Sequence, residues 1–129
     1  MSDRNAKKNF KPVDTVAVLD RLASVPIQQW NYKWEGDESV PNIGPMAQDF
    51  KEAFYPGRDD KHISTLEFDG IELAAIQGLN KKMDEHTQSL ENQLKQKDAE
   101  IETLRTKTTE TEKRLDELEA IVQSLAAKK

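Results

Sequence analysis

Few side chains in this sequence are suited to covalent or metal chemistry. There is no cysteine and there are only two histidines. That removes thiolate nucleophiles, disulfides and thiolate metal sites, and it leaves a histidine-built metal centre short of ligands. No cofactor and no metal is expected, and no phosphate-binding loop or catalytic triad is legible. Hydroxyl and amine side chains remain throughout the chain, among them Ser2 and Lys7 in the polar, basic opening arm, Met1 to Pro12, which reads as a loop. A serine hydroxyl is a poor nucleophile until a base takes its proton. A lysine does that only where burial or nearby positive charge keeps part of it neutral. On residue type alone, Ser2 and Lys7 are polar side chains of a solvated arm.

The elements that must position these residues can be read in order. Asp14 or Thr15 caps a first helix whose apolar face is Val16, Leu19, Leu22 and Ala23. Ser24-Val25-Pro26 ends it, because proline disfavours a helical residue before it. Ile27 to Trp34 is aromatic-rich and loosely alternating, so it predicts a strand; Glu35 to Ser39 predicts a turn, and Val40 to Ile43 a short partner strand. Trp30, Tyr32 and Trp34 read as core or oligomer contacts rather than a ligand platform. Pro45 opens a second helix to Phe54, with Met46, Phe50 and Phe54 on its buried edge. Arg58 to Lys61 reads as a solvated loop and His62 to Phe68 as a second short strand or extended segment. Asp69-Gly70 reads as a turn, and from Ile71 the chain enters a long helix.

That helix carries the clearest pattern. Ile76, Met83, Leu90, Lys97, Leu104, Thr111, Leu118 and Leu125 fall on heptad position d. Asn80, Thr87, Leu94, Ile101, Thr108, Leu115 and Val122 fall on a. A strict 3.5-residue repeat keeps such a seam on one face only if helices supercoil around one another. The g–e′ pairs Glu100–Arg105, Lys107–Glu112 and Arg114–Glu119 each join opposite charges, as parallel neighbours in register require. At 1.5 Å per residue, the seam extends roughly 75 Å, too long for a small domain to cover. Leucine at d with Ile or Val at some a positions leans towards two strands; leucine at other a positions and the Thr layers lean away, so the heptads leave the number open.

The fold class expected is α+β: a small head of short strands and helices (residues 1–75, with the N-terminal arm), then a coiled-coil helix over 76–129. About 75 residues is marginal for one core, so the head should lean on its oligomeric partners. A net charge of −5 argues against a nucleic-acid partner, and no apolar run approaches a membrane span.

Several motifs together resemble a known family. They are Ser2-Asp3-Arg4 with Lys7-Lys8, Ile43-Gly44-Pro45-Met46-Ala47-Gln48-Asp49-Phe50, His62-Ile63-Ser64-Thr65, Asp69-Gly70, and Leu73-Ala74-Ala75-Ile76-Gln77-Gly78-Leu79-Asn80 ahead of a coiled coil. The sequence resembles the C-terminal intramolecular chaperone domain of phage endosialidases, tail spikes and tail fibres, the self-cleaving peptidase S74 family. The resemblance implies a homotrimer that registers the upstream β-rich fibre of its own precursor and then cuts itself off at the bond preceding a serine. Here that bond joins Met1 and Ser2, with Ser2 as nucleophile and Lys7 as base. The chain supplies only Met1 before Ser2, as a released domain or a chain beginning at the cut would. The resemblance further implies folding in the bacterial host cytoplasm, a precursor associated with the phage tail, and a released domain absent from the virion.

One position departs from the family. Many relatives carry a histidine just before Ile-Gly-Pro, and this sequence has Asn42. An amide is neither acid nor base, though it can donate a hydrogen bond to an oxyanion. Slow cutting, a cleavage-blocking change, or help from a group such as His62 would each follow; His62 otherwise reads as a hydrogen-bonding residue beside a turn, and Gln48 and Asp49 as local caps. The alternative is a non-cleaving trimerisation module retained on its fibre.

Overall fold

The computed structural model describes residues 2–56 and 58–128. A 3₁₀ turn, Arg4–Ala6, opens it. Then follow helix α1 (Thr15–Ser24), strands β1 (Gln28–Trp30) and β2 (Asn42–Gly44), helix α2 (Ala47–Phe54) and helix α3 (Thr65–Ala127). The chain divides into two compact units, Met1–Asp84 and Glu85–Lys129. Among the described residues, no helix is long and apolar enough to cross a membrane.

In the first unit, α1 begins where its cap dictates. The Asp14 carboxylate accepts from the Ala17 N–H at 3.0 Å, satisfying a donor that the first turn cannot. Val16, Leu19 and Leu22 are half-buried, whereas Ala23 is exposed. β1 and β2 pair antiparallel, with Gln28 opposite Gly44, Gln29 opposite Ile43 and Trp30 opposite Asn42. Both strands are shorter than their sequence patterns. Beyond Trp30 the chain turns, because Tyr32 N–H donates to the Glu35 carboxylate at 2.6 Å and Glu35 N–H to Tyr32 C=O at 2.9 Å. The aromatics instead stack on one another, Tyr32 on Trp34 face to face at 4.2 Å and Trp30 edge-on to Tyr32 at 4.8 Å.

Helix α2 starts at Ala47, two residues later than proline placement predicts. Phe50 is fully buried against Phe54, Tyr55 and Phe68. Val25 and Ala75 are the other buried apolar side chains among the described residues, a small core for a unit of this length.

The largest correction concerns residues 62–70. The second short strand or extended segment expected over His62 to Phe68 gives way to helix from Thr65, where α3 starts, and Asp69-Gly70 is no turn. The cause is a capping box: Glu67 N–H donates to Ser64 Oγ at 3.2 Å, and Ser64 N–H donates back to the Glu67 carboxylate at 3.2 Å. Two backbone donors gain partners at once, which outweighs the β-propensity of Ile63 and Phe68. Further along, Gly78 lets α3 touch the start of α1. A Cβ there would sit 2.1 Å from the Thr15 carbonyl oxygen. Lys82 adds an ion pair with Asp20 at 2.5 Å.

The second unit is the rest of α3. Thr103, Thr106, Thr108, Thr109 and Thr111 each donate their hydroxyl to the carbonyl four residues back, at 2.8–3.1 Å. Thr108 and Thr111 therefore keep their hydroxyls occupied by their own helix.

Candidate functional site

Among the residues the sequence singles out, the structure brings Ser2 and Lys7 together. Lys7 Nζ donates to Ser2 Oγ at 2.9 Å. The local fold explains the approach. Asp3 caps the 3₁₀ turn, its carboxylate accepting from Asn5 N–H at 2.9 Å. Ala6 and Lys7 N–H then close on the Asp3 and Arg4 carbonyls, both at 3.2 Å. Three residues wound at about 2 Å rise each bring Lys7 back towards Ser2. Asn9 has a φ of 60°, a left-handed conformation that asparagine tolerates better than most residues.

The polarity of this contact matters. Base catalysis needs a neutral amine accepting from the hydroxyl, within the reach that this contact provides. Ser2 and Lys7 are both exposed. The burial that would favour a neutral lysine is not supplied by this chain alone. Met1, on the other side of the expected cut, lies outside the described residues.

Asn42 sits half-buried on β2 opposite Trp30. Among the described residues, no hydrogen bond joins it to Ser2 or Lys7. His62 is exposed and Nδ1 lies 2.7 Å from Asp59. Asp59 is held below the ordinary carboxylate value by the Lys61 backbone N–H and by His62. Asp49 lies in the first turn of α2, where a carboxylate suits the helix dipole, and Gln48 is exposed beside it.

Sequence reasoning missed a charged cluster. Lys51 is buried, with 5% of its surface exposed, and its Nζ donates to Glu67 at 2.6 Å. Arg58 donates to the other Glu67 oxygen at 3.1 Å and lies over the Tyr55 ring at 4.8 Å. The Lys51 bond, followed by the Ser64 N–H, holds the Glu67 carboxyl at about 2 against an ordinary 4.5. Arg58 thus ties the 58–61 loop, which is exposed as expected, to the start of α3. The Ser64-x-x-Glu67 spacing was the available signal for this site. Beside it, Trp30, Tyr32, Met46, Gln48 and Lys61 line an open groove, and the buried Trp30 Nε1 has no hydrogen-bond partner among the described residues.

Residues 2–57 match the model of the peptidase S74 family, chaperone of endosialidase. The match spans the Ser2–Lys7 contact, α1, the β1–β2 pair and α2, so this N-terminal part of the chain is similar to the family its motifs resemble. No curated protein matches the chain.

Proposed function

We propose that the chain is an intramolecular chaperone that trimerises and registers the β-rich fibre or spike upstream in its own precursor, then frees itself at the bond preceding Ser2. The observation that carries this reading is the 2.9 Å contact between Lys7 Nζ and Ser2 Oγ inside the segment that matches the chaperone family. In the cut, neutral Lys7 takes the Ser2 hydroxyl proton as Oγ bonds to the preceding carbonyl carbon. The C–N bond breaks, and Lys7 returns the proton to the departing Ser2 amine. Water hydrolyses the resulting ester, restoring the hydroxyl and releasing the upstream carboxylate. Because the pair is exposed in one chain, assembly with other copies and with the upstream fibre must supply the desolvation. Trimerisation then precedes cutting, the useful order for a helper. Folding takes place in the host cytoplasm on this reading, and the released domain stays out of the virion.

Asn42 favours a second reading, a trimerisation module that stays on its fibre, since the amide cannot relay a proton. Intact mass of a precursor carrying its native fibre segment before Ser2 separates the two. The proposal expects two fragments, the smaller beginning at Ser2, and an intact Ser2→Ala precursor. A wild-type precursor that stays whole as a trimer would establish the retained module instead.

A further inference from the structure

Helix α3 is covered by its own head on one side only. Glu67, Phe68, Ile71, Ala74, Ala75 and Gly78 are buried or half-buried. Counting the heptad register of the tail backwards without a slip, these are the b, c and f positions. The contacts agree: Phe68 packs on Phe50, Gly78 abuts Thr15, and Lys82, at c, pairs with Asp20. The a and d positions over the same turns are Leu66, Asp69, Leu73 and Ile76, and all are exposed; the three apolar ones are 83%, 64% and 63% exposed. A helix serving only its own head would carry its polar residues there. Gly70, at e, points its missing Cβ into open space, so nothing among the described residues requires a glycine in that turn.

We infer that the coiled-coil seam does not begin below the head but runs through it to the first turn of α3, so that further copies of this chain dock on Leu66, Leu73 and Ile76 while each head rides on the outer face of its own helix. The occupant is a parallel second copy. The same register carries the complementary pairs Glu100–Arg105, Lys107–Glu112 and Arg114–Glu119, which only a parallel, in-register neighbour satisfies. This rests on the trimer proposed above and says where its interface starts. It surrounds the seam with heads and sets Asp69, at d between two leucine layers, as a polar layer that weakens the upper end of the seam while fixing its register.

The absence of cysteine makes the test direct. In the full chain, Leu66→Cys, Leu73→Cys, Leu118→Cys (d, in the tail) and Asp116→Cys (b, facing away from the seam) are oxidised mildly and run without reductant. Leu66→Cys and Leu73→Cys should form linked pairs as readily as Leu118→Cys and at least about fivefold above Asp116→Cys, because adjacent seam thiols meet at a high effective concentration. Linking by Leu118→Cys with the two head variants at the Asp116→Cys level would overturn the extension and leave the trimer standing. If Leu118→Cys also stays at that level, the coiled coil itself fails, and the extension with it. Leu73→Asp should reduce the oligomer by light scattering without lowering the helical signal of the head; an unchanged oligomer would also count against the extension.

Discussion

Lys7 reaches Ser2 across a single 3₁₀ turn, its Nζ 2.9 Å from Ser2 Oγ, and Asp3 holds that turn closed by capping Asn5. On the proposed reading Asp3 touches no reacting atom; it positions Ser2 and Lys7. Replacing it with alanine removes one cap hydrogen bond, about 0.5–1.5 kcal/mol, and so lowers the population of the closed turn roughly two- to tenfold. Asp3→Ala should slow self-cleavage of the precursor by that factor and leave the melting temperature of the trimer unchanged. Asp3→Asn, which keeps an accepting oxygen, should restore most of the rate. Time courses of cleavage on gels, beside thermal melts, read both.

The acid response of the head should come from Glu67. Its folded value, about 2, lies below the ordinary 4.5, chiefly because Lys51 donates to it. A carboxylate depressed in the folded state contributes its full stabilisation above the unfolded value and loses it as the pH falls through the folded one. The loss should therefore run from about pH 4.5 down to about pH 2. Glu67→Gln should lower the melting temperature at neutral pH, since it leaves the buried Lys51 ammonium without its counter-charge. That difference should shrink steadily below pH 4.5. A constant difference across this range, followed by circular dichroism, would show that the ion pair is not the cause.

Gly78→Ala should destabilise the chain, although alanine is the better helix former by about 1 kcal/mol in an open helix. The new Cβ would stand 2.1 Å from the Thr15 carbonyl oxygen, and backbone cannot swing aside as a long side chain does. The overpacking should cost about 1–3 kcal/mol, read as a lower urea midpoint at constant m-value. A gain in stability would mean that α1 is not held against α3 in solution.

The threonine layers of the tail should behave as nearly apolar ones. Thr108 and Thr111 already satisfy their hydroxyls on Leu104 and Lys107 carbonyls at 2.9 and 2.8 Å. Thr108→Val keeps the shape and removes a group that competes with the helix ladder, so the oligomer should melt at the same temperature or higher. Thr108→Asp should dissociate it, because three carboxylates would converge in one layer. Sedimentation at several concentrations distinguishes these outcomes.

What could be read from the sequence depended on how local the cause was. The first helix was legible because Asp14 and the Val16, Leu19, Leu22 spacing lie within one stretch of chain. The antiparallel hairpin was legible in kind, but its strands were shortened by the side chain of Glu35 returning to Tyr32. The error at His62–Phe68 came from weighing β-propensity over the Ser64-x-x-Glu67 capping box, which moves the helix start to Thr65 and absorbs Asp69-Gly70. The Lys51–Glu67–Arg58 cluster joins residues as far as sixteen positions apart, and no periodic pattern announces such a pairing. Ser2 and Lys7 were named through the family resemblance; the Asp3-capped turn supplies a physical reason for their meeting.

On the proposed reading, the domain guides its precursor's folding before leaving it. Intertwined β-fibres have many non-local contacts and are slow to fold, and a C-terminal coiled coil raises the local concentration of the chain ends. Once the domain is removed, a denatured spike should have no efficient route back. The direct measurement is the recovery of native trimer after denaturation and dilution, for the uncut Ser2→Ala precursor and for the mature fibre lacking this domain, at equal chain concentration. The account predicts substantial recovery of the uncut precursor and little of the cut fibre. Equal recovery of the two would contradict it.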